Sequence, residues 1–220
     1  MGSDRNSRIR RLTRDWLADV ASRLPEDAVV LDLGCGPGRD HALFRGRKMV
    51  GLDRYAADNI QIVADAEKPL PIADASYDAV FSNHVMEHLC RPEDTLRECH
   101  RILRAGGTLM VSVPFMTKIH LAPDDFCRFT EHWYARVLSD IGFRDIAATP
   151  IGNLFDLYDV TRWARDEQLR NKSGGLRHVA LRRLIQMQNL AQRGIDRLSG
   201  GLKDDTSWPL GYGVTARKPS

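Results

Sequence analysis

The sequence predicts a doubly wound α/β fold built on a seven-stranded, mostly parallel sheet. Three features point there: short aliphatic runs alternate with helical stretches, the first run ends in a cluster of glycines, and the second ends in an aspartate. Strands covered by helices on both faces read as nearly continuous apolar segments. Alternation of such strands with helices implies right-handed crossovers in one sheet.

The elements follow in order. Ile9, Leu12, Trp16, Leu17 and Val20 recur at helical spacing, so an amphipathic helix precedes Pro25. Val29–Leu33, Met49–Asp53, Ile60–Asp65, Asp78–Asn83 and Thr108–Val113 read as the first five strands. Pro92 to Arg104 reads as a helix, with Glu93 and Asp94 favouring its start and Gly106-Gly107 its stop. Thr130 can cap a further helix running to Gly142, and Phe143–Ala148 supplies a sixth strand. The interval from Leu33 to Met49 holds only a short helix, and that from Asp53 to Ile60 none, so the helices beside the first strands must be trimmed. Tyr212–Arg217 reads as the last strand. The expected organisation is an N-terminal helix (1–24), a core (25–150), a helical insertion or lid (151–207) and the final strand (208–220). Within the insertion, Leu154, Leu157, Tyr158 and Thr161 suggest one helix and the stripe from Leu181 to Leu198 a longer one.

Composition bounds the function. At 220 residues, 43% hydrophobic and 28% charged, the chain can bury one substantial core. A net charge of +3 gives no global case for a nucleic-acid partner. Cys35, Cys90, Cys99 and Cys127 form no CxxC pair, which favours reduced thiols and a cytoplasmic location. The longest apolar stretch, Ala105 to Thr117, is too short for a bilayer core of roughly 30 Å, so no membrane partner is expected.

Val30-Leu31-Asp32-Leu33-Gly34-Cys35-Gly36-Pro37-Gly38 is a strand running into a GxGxG turn, where absent side chains let the backbone turn sharply and approach a ligand. Asp53, at the end of the next strand, can take the two hydroxyls of a ribose. With Val63-Ala64-Asp65-Ala66-Glu67, Ser82-Asn83-His84-Val85-Met86-Glu87-His88-Leu89 and Arg101-Ile102-Leu103-Arg104-Ala105-Gly106-Gly107 in the same order, residues 25 to 150 resemble the class I S-adenosylmethionine-dependent methyltransferases. The resemblance implies the Rossmann-like methyltransferase fold, S-adenosylmethionine as cofactor, and roles for individual residues. Gly34, Cys35 and Gly36 would line the methionine and sulfonium region, with Asp32 behind the amino group. Asp53 would bind the ribose, with Arg54 beside it. Asp65 would accept from the adenine amino group next to the Ala66 amide, and Asn83 would touch the methionine moiety through its backbone. A nicotinamide dinucleotide fold is the runner-up, but the turn lacks GxGxxG spacing. A P-loop is excluded because no GxxxxGK[ST] exists.

The methyl acceptor is less legible. Candidate bases just after strands four and five are His84, Glu87, His88, His120, Asp124 and Asp125. His84, Glu87 and His88 stand at i, i+3 and i+4, so one helical face could carry all three. Ubiquinone-pathway O-methyltransferases hold a divalent metal with a similar arrangement that has a glutamate at the position of His84. Here no metal is expected, since three helix-borne side chains without a carboxylate set make a poor hard-cation site. Glu87 and His88 are read instead as orienting residues. The segment from His120 to Thr130 resembles the PxDxxRFT segment of a bacterial subgroup that modifies sugars or secondary metabolites. In it Asp125 and Arg128 would pair to shape the loop, leaving His120 as first choice for base, ahead of His88 and His84. The acceptor is therefore expected to be a small molecule offering a hydroxyl or amine. Ten Lys/Arg against three Asp/Glu between Thr161 and Lys203 allow it to be acidic. Aminocarboxypropyl transfer, cyclisation or a non-catalytic cofactor-binding subunit stay open, as do a monomer and a homodimer.

Overall fold

The computed structural model describes residues 6–157 and 206–220, with 160, 161, 183, 184 and 187 besides. Most of the expected helical insertion, including most of the stripe from Leu181 to Leu198, lies outside these residues.

Helix α1 (Asn6–Ser22) precedes strand β1 (Val29–Leu33), which turns through the glycines into a single 3-10 turn, His41–Phe44. Strands β2 (Lys48–Asp53) and β3 (Ile62–Val63) follow, then β4 (Tyr77–Asn83), a second 3-10 turn at Met86–His88, helix α2 (Pro92–Ile102) and β5 (Leu103–Pro114). Helix α3 (Glu131–Ile141), β6 (Arg144–Ile151) and β7 (Gly211–Arg217) complete the order. The sheet runs β3-β2-β1-β4-β5-β7-β6, with β7 antiparallel to both its neighbours and the other pairings parallel. The order reverses between β1 and β4, and a crevice for ligands opens at the carboxyl ends of strands at such a reversal.

Each sheet face has its own cover. Leu17, Val20, Ala21 and Leu24 recur at helical spacing and pack with Phe44, Val30, Phe81 and Met110 on one face. Leu96, Cys99 and Ile102 of α2 and Tyr134 and Leu138 of α3 pack with Leu31, Val80, Leu109 and Val111 on the other. The anticipated trimming is seen: one 3-10 turn separates β1 from β2, and turns alone separate β2 from β3. Thr130 caps α3 by accepting from the Trp133 amide at 3.3 Å, and Gly142, at φ +114°, ends it. Among the described residues no helix is long and apolar enough to cross a membrane.

Several boundaries differ from expectation, among them β6, expected over Phe143–Ala148 and running on to Ile151. The third strand pairs over only Ile62–Val63, because no crossover helix holds the flanking residues against the sheet. Helix α2 stops at Ile102 rather than Arg104, and Leu103 already pairs with Tyr77. The register then shifts before Ala79 pairs with Thr108. Gly106 and Gly107 accommodate this irregularity instead of stopping the helix: Gly106 has φ +74°, and a Cβ on Gly107 would lie 2.8 Å from the Arg104 carbonyl.

Gly213 on β7 gives α1 its seat, since a Cβ there would fall 2.2 Å from the Trp16 ring. Overpacking of this kind costs typically 1–3 kcal/mol, so Gly213→Ala should destabilise the protein by about that much. A lowered urea midpoint with unchanged slope, recovered when Trp16→Leu is added, checks it.

Candidate functional site

The site lies at the carboxyl ends of β1, β2, β4 and β5. The Gly34 and Cys35 amides both donate to the Leu52 carbonyl, at 2.8 and 3.1 Å, which folds the turn after β1 onto the end of β2. A Cβ on Gly34 would lie 2.4 Å from Val85, and its φ of +74° disfavours any side chain. Gly36, at φ +48°, faces open space, with nothing within 4 Å of where its Cβ would be. Asp53 Oδ2 accepts from the Gly36 amide at 2.9 Å, and Asn59 donates to the Gly36 carbonyl at 2.7 Å. Cys35 packs beneath the turn, and burial, helped by Asp32 and Asp53, pushes its thiol up to about 11. It is an unreactive packing residue.

Asp32 is buried, and its carboxylate meets His41 Nε2 at 2.9 Å. Burial pushes its carboxyl up to about 6 from an ordinary 3.8, with His41 opposing the shift. Asn83 donates from Nδ2 to Asp40 at 2.9 Å, while its Oδ1 is buried with no hydrogen-bond partner among the described residues. These residues fit a nucleoside that carries an amino acid: an open glycine turn, a carboxylate at a strand end, a buried acid and an unpartnered amide oxygen. Asp65, expected on the adenine side, is exposed; it accepts from the Glu67 amide and lies 3.4 Å from Lys68. Ala66 is held to α2 through Thr95, which donates to its carbonyl. Arg54 is exposed, 3.4 Å from Asp124 and over the Tyr55 ring, so it links the end of β2 to the loop after β5. Sequence reading missed His41, Asp40 and Asn59, because their partners are distant in the chain and no spacing rule connects them.

The histidine cluster after β4 centres on Glu87, which is 0% exposed. His84 does not share a helical face with Glu87 and His88. It sits at φ +56° before the 3-10 turn, its amide donating to the Ser112 carbonyl, a strained conformation of the sort concentrated at functional sites. The structure instead brings His120 to the group: His84 Nδ1, His120 Nε2 and His88 Nε2 lie 3.5, 3.6 and 3.7 Å from Glu87 Oε1. The loop carrying His120 is pinned to Glu87, whose carbonyl accepts from the Phe126 and Cys127 amides. Asp125 pairs with Arg128 as expected; the guanidinium holds its carboxyl well below the ordinary range, and the His120 amide donates to it as well. Tyr134 lies beneath, its buried hydroxyl pushed well above its usual value by burial and then by Glu87. A cavity of about 510 Å³ opens at the opposite edge of the sheet, among Arg23, Arg104 and Gly106, and contains none of these groups.

Residues 31–111 match the family model of a methyltransferase domain. The chain is 27% identical over 227 residues to the sarcosine/dimethylglycine N-methyltransferase of Halorhodospira halochloris, covering 92% of this chain and 80% of that one. It is 35% identical over 120 residues to the trans-aconitate 2-methyltransferase of an Azoarcus strain, covering 47% and 45%. A Mycolicibacterium smegmatis relative is 39% identical over 98 residues, and the chain spans only 37% of its length. The fold is also that of an S-adenosylmethionine-dependent methyltransferase structure from Archaeoglobus fulgidus, with TM-score 0.61 and 18% identity over 95% of this chain and 94% of that one. Residues 31–111 thus match a methyltransferase domain, and the fold is that of S-adenosylmethionine-dependent methyltransferase structures.

Asp32 carries a pH signature. Its carboxyl holds its proton more tightly on folding, so its stabilising contribution is present below about pH 3.8 and lost as pH rises through about 6. Asp32→Asn should leave the cofactor-free protein more stable at pH 7 while weakening cofactor binding. Thermal melts from pH 4 to 8, with the difference between variant and parent growing across that window, check it.

Proposed function

We propose that the chain transfers a methyl group from S-adenosylmethionine to a hydroxyl or amine of a small acceptor bound between the glycine turn and the Glu87 cluster. The observation that carries this is juxtaposition: the cofactor residues of β1, β2 and β4 and the histidine–carboxylate cluster share one edge of the sheet. When bound, S-adenosylmethionine supplies a methyl on a positive sulfur, which departs as a neutral thioether once a lone pair takes that methyl.

The chain's own residues have two tasks. Asp53 would hold the ribose and the Gly36 turn together, Asp32 would face the cofactor's ammonium, and the free Asn83 Oδ1 would meet the methionine part. Holding two reactants in line can supply roughly 7–11 kcal/mol of the barrier. His120 would take the acceptor's proton. Its Nδ1 lies 3.3 Å from Asp125, which fixes the ring and leaves Nε2 on the side of Glu87. Arg128 neutralises Asp125 and holds it in place. The relatives named for trans-aconitate and for sarcosine both methylate carboxylate-bearing molecules, which supports an acidic acceptor here.

Calorimetry should find one S-adenosylmethionine or S-adenosylhomocysteine per chain. Asp53→Ala should cost about 1.5–3 kcal/mol of that affinity, the range for hydrogen bonds to a charged group. Binding of neither ligand would overturn the reading. With an acceptor in hand, His120→Ala should lower kcat by about 10²–10⁴-fold, as expected for loss of a general base, while leaving cofactor affinity near parental.

A further inference from the structure

Lone pairs converge on one point beside Glu87. The separations of 3.5 to 3.7 Å from Glu87 Oε1 to His84, His120 and His88 are too long for hydrogen bonds, which close to about 2.7–3.2 Å. Tautomers make the pattern sharper. His88 Nδ1 meets the Asp124 carbonyl, an acceptor, so the ring proton belongs there. His120 Nδ1 likewise meets only acceptors, Asp125 Oδ2 at 3.3 Å and the Lys118 carbonyl at 3.4 Å. With each neutral ring protonated on Nδ1, both Nε2 atoms present lone pairs to a buried carboxylate. Neither Glu87 oxygen has a hydrogen-bond partner among the described residues. Arg128, the cation whose charge reaches Glu87, is bound through both terminal nitrogens to Asp125. Lone pairs facing a dry carboxylate repel unless something positive stands between them.

We propose that this cluster is a binding site for a first-row divalent transition cation, ligated by His84, Glu87 and His120 with His88 at its edge. The three ligand atoms all lie within 4.8 Å of one another. Two ligands bonded at roughly 2.1 Å to one ion at a tetrahedral angle stand about 3.4 Å apart. The separations from Glu87 to His84 and His120 therefore need to close by only tenths of an ångström. Imidazole with one carboxylate suits zinc, cobalt, iron or manganese better than magnesium or calcium, which favour all-oxygen sites. Asp125 behind His120 Nδ1 is the outer carboxylate that orients a metal-bound histidine. The metal-free expectation assumed three side chains on one helix; the structure withdraws that premise, because His120 arrives from a separate loop and Glu87 is fully dry. The proposal rests on reading this end as the acceptor station; with a cation bound, His120 Nε2 is a ligand rather than the base, and the Lewis acid would make an acceptor hydroxyl easier to deprotonate in its stead.

The experiment titrates cobalt(II), and separately zinc, into the full chain stripped with EDTA, and measures S-adenosylhomocysteine binding to the same stripped protein. The expected result is one cobalt per chain with visible ligand-field absorption. His84→Ala and His120→Ala should each weaken cobalt binding at least tenfold, with melting temperatures of the metal-free variants near the parent's. Absence of stoichiometric binding by the stripped parent, or binding unchanged in both variants, would overturn the metal site. Retained S-adenosylhomocysteine binding in that event leaves the methyltransferase reading standing on the Asp125–His120 pair, whereas its loss counts against that reading alone.

Discussion

Removing an ionised carboxylate from water costs several kcal/mol unless positive charge or donors meet it, and Glu87 is removed completely. Much of the acceptor end can be understood as the consequence. His84 takes a left-handed backbone conformation that places its ring beside Glu87. The loop after β5 is fastened by two amides to the Glu87 carbonyl, which delivers His120 to the same oxygen. Asp125 and Arg128 form a closed pair that stiffens this loop and leaves Glu87 unneutralised. A carboxylate held this way is poorly explained as packing, and well explained as one wall of a binding site.

The cofactor end obeys a different economy. Its buried acid, Asp32, has a partner in His41, and its exposed acids are engaged in turns or surface pairs. Asp53 closes the glycine turn by accepting from the Gly36 amide. The upward shift of the Asp32 carboxyl means that the cofactor-free fold carries a cost at neutral pH.

The strands were legible because buried parallel strands are continuous aliphatic runs, and the glycine turn because its neighbours were strands. The α2–β5 boundary was misjudged because Leu103 and Arg104 continue the helical pattern, and only pairing with Tyr77 across the sheet decides against it. The trio at His84, Glu87 and His88 was singled out on spacing that presumes a helix, and a residue at φ +56° ends that presumption. The union of His120 with Glu87 is made by a loop, where periodicity carries no information. The pairing of Asp125 with Arg128 was readable because both ends lie within four residues.

The central claim is that cofactor turn and histidine–carboxylate cluster face one another across a single cleft. The most direct measurement is a crystal structure of the full chain with S-adenosylhomocysteine bound. The account predicts the ribose hydroxyls on Asp53 and the sulfur turned toward His84, Glu87 and His120. A sulfur facing away from that cluster, or a ligand lodged in the cavity by Arg23 and Arg104 at the opposite edge of the sheet, would contradict it.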